Sequence, residues 1–272
     1  MLRVLKHEAD VVVTKSIGAT QRKGHLGPIL TASHGGLINA VGLTNPGIDS
    51  FTPELEILRR AKATFVLSLF SDTPKEMADL VERGSQMGPS AIELNLSCPH
   101  AEISQISHSP QITSEYVSAA KEVTNLPVFA KITPNASDYV AVGMAAQEAG
   151  ADAIVAINTV RGMKIDIQQM RPALGNRVGG LSGPAIFPIA VRCVYDLYNT
   201  LSIPLIGVGG VSTWEDAIEM HLAGASAIQI GTAVMNDFEI FSKIKRGVNF
   251  YLQEHGFRDI SEIIGLAGGT NQ

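Results

Sequence analysis

The chain has 272 residues, 45% of them hydrophobic, and a formal net charge of −5 with both signs interspersed. This length suits one large α/β domain, and a chain without a basic stripe is a poor partner for nucleic acid. No apolar run is long enough for a membrane span, the N-terminus lacks a signal-peptide core, and two cysteines cannot build a disulfide framework, so we expect a cytoplasmic protein. The seven histidines are scattered without metal-ligand spacing, so we expect no protein-only metal site.

Short β-branched apolar runs alternate with longer segments that have helical composition. The predicted strands are 11–14, 65–68, 91–96, 128–132, 153–157, 204–208 and 227–230, and the predicted helices include 74–83, 114–123, 137–149, 184–198 and 213–223. Several strands are apolar at consecutive positions, which is typical of a sheet buried on both faces. Strand and helix repeated in this way predict a TIM (β/α)8 barrel, formed by residues 1–272 as a single domain.

The barrel is predicted to lack its first strand at the N-terminus. Seven strands are visible where the barrel needs eight, and nothing before Asp10 has the pattern of a strand. Two explanations stay open: the true N-terminus lies upstream of Met1, or an insertion supplies the eighth strand.

A cysteine follows the third predicted strand, in the segment Asn95-Leu96-Ser97-Cys98-Pro99-His100. The C-terminal ends of barrel strands carry the chemistry of such folds, and Pro99 restricts the backbone beside the thiol. Cys98 is therefore a candidate base, although a free cysteine also commonly fills a gap in a core.

Two glycine-rich turns, Gly207-Val208-Gly209-Gly210 and Gly231-Thr232-Ala233, end the last two predicted strands. Glycines let backbone N–H groups approach an anion, and the loops after the last strands of such barrels frequently bind phosphate. A tight turn would explain either group alone. Both together predict a phosphate site.

Two lysines lie at or within apolar strands, Lys15 after the first and Lys131 inside the fourth. Either could extend along the surface to solvent, but a buried lysine needs an anionic partner, which favours a bound anionic group. Side-chain amides and a hydroxyl recur at strand ends and first loops, at Asn39, Asn95, Asn158 and Thr159. Such groups offer donors and acceptors to a pyrimidine or cyclic imide, although a lone loop asparagine is usually a turn residue.

Taken in order, these motifs resemble the flavin-dependent dihydroorotate dehydrogenases of the soluble class 1, close to the 1B branch, whose catalytic subunit works with an electron-transfer subunit. The resemblance extends from Thr14 to about Val234. The matching motifs are Thr14-Lys15-Ser16, Asn39-Ala40-Val41-Gly42-Leu43, Asn45-Pro46-Gly47, Asn95 to Pro99, Lys131-Ile132-Thr133-Pro134-Asn135, Ile157-Asn158-Thr159, Gly179-Gly180-Leu181-Ser182-Gly183-Pro184 and the two glycine turns.

The resemblance implies FMN as the cofactor and oxidation of (S)-dihydroorotate to orotate in pyrimidine (UMP) biosynthesis. The implied phosphate ligands are Gly209, Gly210, Gly231 and Thr232, with Gly183 nearby, and the implied contacts to the rest of the flavin are Lys15, Ser16, Asn95, Lys131 and Ile157. The implied substrate residues are Lys15, Asn39, Asn95, Asn158 and Thr159, with the backbone from Asn39 through Ala40, Val41 and Gly42 to Leu43 receiving the carboxylate. Cys98 would be the general base that removes the C5 proton while C6 delivers hydride to flavin N5.

The resemblance also implies a partner. The sequence has no cysteine cluster or dinucleotide fingerprint, so electron transfer to NAD would need a subunit that carries FAD and an iron–sulfur cluster. Fumarate or a quinone stays open as the acceptor. A homodimer or a heterotetramer is implied by analogy.

Two other functions stay open. The segment that ends in His100 also resembles the flavin domain of dihydropyrimidine dehydrogenase, which acts on uracil and thymine, and His100 stands where many dihydroorotate dehydrogenases have an asparagine. The Asn39 to Leu43 motif favours dihydroorotate. A non-catalytic FMN-binding barrel is the third possibility, although Cys98, Lys15 and the amides favour an enzyme.

Overall fold

The structure is a computed structural model that describes residues 1–96 and 109–268. The strands of these residues are β1 (Val12–Val13), β2 (Leu30–Ser33), β3 (Gly36–Asn39), β4 (Phe65–Leu69), β5 (Ala91–Asn95), β6 (Val128–Ile132), β7 (Ala153–Ala156), β8 (Val160–Met163), β9 (Ile165–Asp166), β10 (Arg171–Pro172), β11 (Val178–Ser182), β12 (Leu205–Val208) and β13 (Ala225–Gln229). The α-helices are α1 (Leu2–Leu5), α2 (Ile48–Arg60), α3 (Pro74–Ser85), α4 (Pro110–Lys121), α5 (Tyr139–Glu148), α6 (Phe187–Tyr198), α7 (Trp214–Leu222) and α8 (Ile240–Glu254).

The chain forms two compact units, one of Met1–Gly24 with Gly42–Ile154 and one of His25–Val41 with Val155–Gln272. The strand order is β1-β4-β5-β6-β7 in the first unit and β7-β12-β13 in the second, because the boundary falls inside β7. The pairs β1–β4, β4–β5, β5–β6 and β12–β13 are parallel. All seven predicted strands are present, and the predicted α/β class with the strand–helix alternation of a TIM barrel is confirmed. That the chain is a single domain stays a prediction.

Strands β4 and β5 of the first unit are mostly apolar because they are covered on both faces. Every residue of β4 is buried, and β5 is buried up to its last residue, Asn95. Helix α3 contributes the buried side chains of Met77, Leu80 and Val81. Helix α4 begins at Pro110, four residues before the predicted start, because Pro110 occupies the first turn and the Ser109 side chain accepts a hydrogen bond from the Ile112 N–H.

The second unit contains an antiparallel sheet of order β2-β3-β11-β8 that the sequence analysis did not predict. Its strands are short, and β3, β8 and β11 contain glycine, which has low strand propensity, so the sheet lacks the apolar pattern that marks the parallel strands. The sheet brings Asn39 of β3 opposite Gly180 of β11. It therefore positions one of the predicted substrate residues.

A capping box fixes the loop that follows β12. Thr213 accepts a hydrogen bond from the Asp216 N–H, and the Asp216 carboxylate accepts from the N–H groups of Ser212 and Thr213 and from the Ser212 hydroxyl. The cap thus holds the chain just after Gly209 and Gly210. We expect Asp216→Ala to lower the free energy of unfolding by about 1–2 kcal/mol, as loss of a helix cap does.

Urea denaturation of Asp216→Ala and of Glu215→Ala measures this effect. Glu215 lies exposed in the same first turn, so its replacement controls for the general loss of an acidic group there. Equal losses in the two variants would contradict the cap assignment.

Candidate active site

A chain of hydrogen bonds links four polar side chains of the first unit. Asn95 Nδ2 donates to Ser16 Oγ over 3.0 Å, the hydroxyls of Ser16 and Ser68 lie 2.9 Å apart, and the Ser68 hydroxyl donates to Glu93 Oε1 over 3.0 Å. The Ser68 N–H also donates to the Thr14 hydroxyl, which ties β4 to the end of β1. The structure therefore brings together the predicted flavin residues Ser16 and Asn95.

Lys131 lies beside this chain because of the strand register. Parallel pairing of β5 with β6 sets Asn95 opposite Lys131 and Glu93 opposite Phe129, so Glu93, Asn95 and Lys131 point to the same face. The Lys131 Nζ lies 3.6 Å from Glu93 Oε1, and the two side chains are 19% and 2% exposed. The lysine thus has the acidic partner that burial requires.

Neither Glu93 nor Ser68 was among the residues predicted from the sequence to have a function. The signal for Glu93 was present, since it is a charged residue inside an apolar strand, as Lys131 is. Ser68 carried no comparable signal, because a serine in a buried strand is common.

Lys15 follows β1 in the same unit. Its pKa is lowered because neighbouring protein atoms partly desolvate the ammonium group, although the side chain as a whole is exposed. A bound anion would restore favourable interactions to this cation. The contact of Lys15 with an anionic group therefore stays a prediction.

In the second unit, the glycine turn after β12 is partly required by packing. Gly209 and Gly210 have φ of +136° and +79°, a region that favours glycine. A Cβ atom on Gly210 would lie 2.7 Å from the Phe187 Cβ and 2.9 Å from the Gly183 oxygen. A tight turn therefore explains these two glycines without a ligand.

Gly231 differs from those two glycines. Its φ is −112°, and a Cβ atom on it would meet no atom within 4 Å. Neither the backbone conformation nor packing therefore requires glycine at this position. Open space beside the backbone is what an approaching ligand group would need.

The predicted phosphate residues lie together within the second unit. Gly183 adjoins Gly210, and a Cβ atom on Gly183 would lie 3.7 Å from the Thr232 methyl group. The Thr232 hydroxyl donates to Ser182 Oγ over 2.8 Å. Within residues 1–96 and 109–268, the N–H groups of Gly209, Gly210 and Gly231 have no protein acceptor. These donors and the open space at Gly231 fit a phosphate group.

The predicted pyrimidine residues of the second unit adjoin the antiparallel sheet. Asn39 Nδ2 donates to the Gly180 oxygen over 3.2 Å, and a side chain on Gly180 would collide with the Thr159 hydroxyl. Gly180 therefore brings Asn39 and Thr159 close to each other. Asn158 Oδ1 accepts from the Thr159 N–H over 2.7 Å, and Ile157 packs beside Gly209.

The loop predicted to receive a carboxylate has donors to offer. The Ala40 N–H donates to the Ile29 oxygen, whereas no acceptor among the described residues faces the N–H groups of Val41, Gly42 and Leu43. Gly42 and Leu43 both have positive φ, at 76° and 53°. This conformation leaves the three N–H groups available to an anion.

Cys98 lies outside the described residues, as do Ser97, Pro99 and His100. Its role as the base and the effect of His100 on the substrate stay predictions. Among the residues that the structure describes, no group of three or more His, Cys, Asp or Glu side chains is placed to hold a metal ion, and no helix is long and apolar enough to cross a membrane.

Comparison with known proteins identifies the family. Residues 1–252 match the family model described as dihydroorotate dehydrogenase. The chain belongs to the dihydroorotate dehydrogenase family. The family resemblance expected from the motifs is confirmed.

Members of this family with the same name are similar to the chain over nearly all of its length. Each of the following is named dihydroorotate dehydrogenase B (NAD(+)), catalytic subunit. The protein of Methanosarcina acetivorans is 48% identical over 262 residues, which cover 95% of this chain and 84% of that protein. The protein of Pyrococcus abyssi is 50% identical over 270 residues (97% and 89%), and that of Methanothermobacter thermautotrophicus is 43% identical over 273 residues (97% and 88%).

Proposed function

We propose that this protein is the catalytic subunit of a dihydroorotate dehydrogenase, which oxidises (S)-dihydroorotate to orotate in pyrimidine biosynthesis. The observation that carries the proposal is the identity of 43–50% over at least 95% of the chain to proteins of that name. The described residues support it, because they offer lysines, side-chain amides and glycine turns whose N–H groups have no protein acceptor among them.

We propose that the cofactor is FMN, because the dihydroorotate dehydrogenase family is flavin-dependent. Its phosphate would be bound by Gly183, Gly209, Gly210, Gly231 and Thr232, whose donors and open space suit an anion. Lys15, Ser16, Asn95, Lys131 and Ile157 would contact the rest of the molecule. When bound, FMN supplies an acceptor for the hydride that leaves C6 of the substrate. A fixed cation such as Lys131 stabilises negative charge that develops during such a reaction.

We assign removal of the C5 proton of dihydroorotate to Cys98. The C5 proton of dihydroorotate is α to a ring carbonyl, so a base of modest strength can remove it. An ordinary cysteine has a pKa of about 8.5, so a fraction is thiolate near neutrality. Cys98 would accept the proton, and the electron pair left at C5 would form the C5–C6 double bond of orotate.

The substrate would be oriented by Asn39, Asn95, Asn158 and Thr159, together with Lys15. The N–H groups of Val41, Gly42 and Leu43 would receive its carboxylate, with Asn39 and Ala40 completing the loop. Uracil and thymine have no carboxylate to place there. The dihydropyrimidine dehydrogenase alternative and the non-catalytic barrel are therefore not favoured, in line with the names of the relatives.

The electrons would then leave through a partner. The relatives are named catalytic subunits that use NAD(+), which implies a second subunit. We propose that this partner carries FAD and an iron–sulfur cluster and that the assembly is a heterotetramer built on a homodimer. We also propose that it works in the cytoplasm.

Substrate choice tests the proposal. The purified protein is mixed anaerobically with dihydroorotate or with dihydrouracil, and flavin absorbance near 450 nm is followed. We expect rapid bleaching with dihydroorotate and slow or no bleaching with dihydrouracil. Faster bleaching with dihydrouracil would point to the dihydropyrimidine alternative, and a flavin that neither compound reduces would point to the non-catalytic barrel.

A further inference from the structure

A buried carboxylate in the first unit has no role in the function proposed above. Glu93 lies in the middle of β5, where the flanking residues are buried and apolar, and its side chain is 2% exposed. Removing a carboxylate from water is unfavourable unless hydrogen bonds and an opposite charge compensate for it. An apolar residue would pack in this strand without the free-energy cost of desolvating a charge. The presence of a carboxylate at this position therefore needs an explanation.

The partners of Glu93 give it a fixed position. The Ser68 hydroxyl donates to Glu93 Oε1, and Ser68 is itself held by the hydroxyls of Ser16 and Thr14. A hydroxyl can donate one hydrogen bond and accept others, so Ser16 donates to Ser68 while it accepts from Asn95 Nδ2. The three side-chain donors Asn95 Nδ2, Ser16 Oγ and Ser68 Oγ therefore form a series that ends at the carboxylate of Glu93.

The charge of Glu93 is directed at Lys131. The two side chains share a face of neighbouring strands, with 3.6 Å between Oε1 and Nζ. The carboxylate is the more deeply buried member, whereas the ammonium lies on the more exposed side of the pair. Lysine has a long flexible side chain, so a fixed acidic partner restricts where its ammonium group can lie.

We propose that Glu93 is a positioning residue that holds the Lys131 ammonium group where it stabilises the reduced flavin. The proposal rests on the proposed function, in which Lys131 contacts FMN. Through Ser68 and Ser16, Glu93 also sets the orientation of the Asn95 amide, because the Nδ2 group is committed to Ser16. Glu93 itself need not touch the flavin.

The direction in which the flavin reduction potential changes when Glu93 is replaced distinguishes a positioning role from a direct effect of its charge. A carboxylate near a flavin disfavours the reduced, negatively charged form, so removing it would by itself raise the reduction potential. If Glu93 acts by holding Lys131, removing it frees the ammonium group and lowers the potential. The two effects have opposite directions.

The test is the midpoint potential of the bound FMN in Glu93→Gln, measured anaerobically against a reference dye. Glutamine keeps the shape and can still accept from Ser68, but it lacks the negative charge that attracts the ammonium group. We expect the potential to fall by about 30 mV, which corresponds to a tenfold loss of preference for reduced over oxidised FMN. An unchanged or raised potential would overturn the positioning role.

A double-mutant cycle tests whether the effect passes through Lys131. Lys131→Met should lower the potential, and adding Glu93→Gln to it should lower it no further. An equal fall in both backgrounds would mean that Glu93 acts by another route. Ser68→Ala removes one anchor of the carboxylate and should lower the potential by a smaller amount, which provides the test if Glu93→Gln does not fold.

Failure of the proposed Glu93 role can be distinguished from failure of the proposed function. A wild-type protein that binds no FMN would defeat both. A wild-type protein that is reduced by dihydroorotate, with a Glu93→Gln potential equal to its own, would defeat the role of Glu93 alone.

Discussion

Replacing Cys98 with alanine is expected to slow the reduction of bound FMN by dihydroorotate about 10²–10⁴-fold, which is the usual contribution of a positioned general base. The cofactor should stay bound, because no residue assigned to the phosphate or the flavin ring is altered. Dithionite should still reduce the flavin at the wild-type rate. Anaerobic stopped-flow absorbance measures both rates.

The second cysteine provides a matched control. Cys193 is buried in α6 and is not among the residues assigned to the substrate or the flavin, so flavin in Cys193→Ala should be reduced at close to the wild-type rate. Cys98→Ser, whose hydroxyl is a weaker base, should lie nearer to Cys98→Ala than to the wild type. Wild-type kinetics in Cys98→Ala would remove Cys98 from the mechanism.

Introducing a negative charge at Gly231 is expected to weaken FMN binding about 100-fold or more. A side chain at this position meets open space in the protein itself, so Gly231→Asp should fold. The new carboxylate would face the phosphate, and opposing like charges cost several kcal/mol, where 1.4 kcal/mol is a tenfold change. Titration of the apoprotein with FMN, followed by flavin fluorescence, gives the dissociation constant.

Gly231→Asn is the control, since asparagine has nearly the same shape as aspartate and no charge. Its loss of affinity should be much smaller, and the melting temperature of both apoproteins should stay near that of the wild type. Equal losses for asparagine and aspartate would mean that bulk rather than charge is responsible. Wild-type affinity in Gly231→Asp would place the phosphate elsewhere.

The parallel strands were predictable because burial makes most of their positions apolar. Phe65–Leu69 and Val128–Ile132 could therefore be recognised from composition alone. The antiparallel sheet of the second unit was not recognisable, since Gly179 and Gly180 interrupt its pattern. Those glycines are required by the close approach of the Asn39 backbone and the Thr159 side chain, and a close approach is a tertiary property.

The candidate site was predictable where a residue type was unusual for its place. Lys131 inside an apolar strand was such a case. The pairing of Lys131 with Glu93 could not be predicted. It depends on the register that sets Asn95 of β5 opposite Lys131 of β6, and this register is not encoded in either strand separately. Both glycine turns were predicted to bind phosphate. In the structure, the turn after β12 requires glycine at Gly210, whereas the backbone and packing at Gly231 do not require it.

Anaerobic titration of the purified protein with dihydroorotate measures whether the bound flavin oxidises this substrate to orotate. We expect a yellow protein whose released cofactor is FMN, and one orotate formed for each flavin that is bleached. A protein that holds FMN but forms no orotate under these conditions would contradict the proposed function.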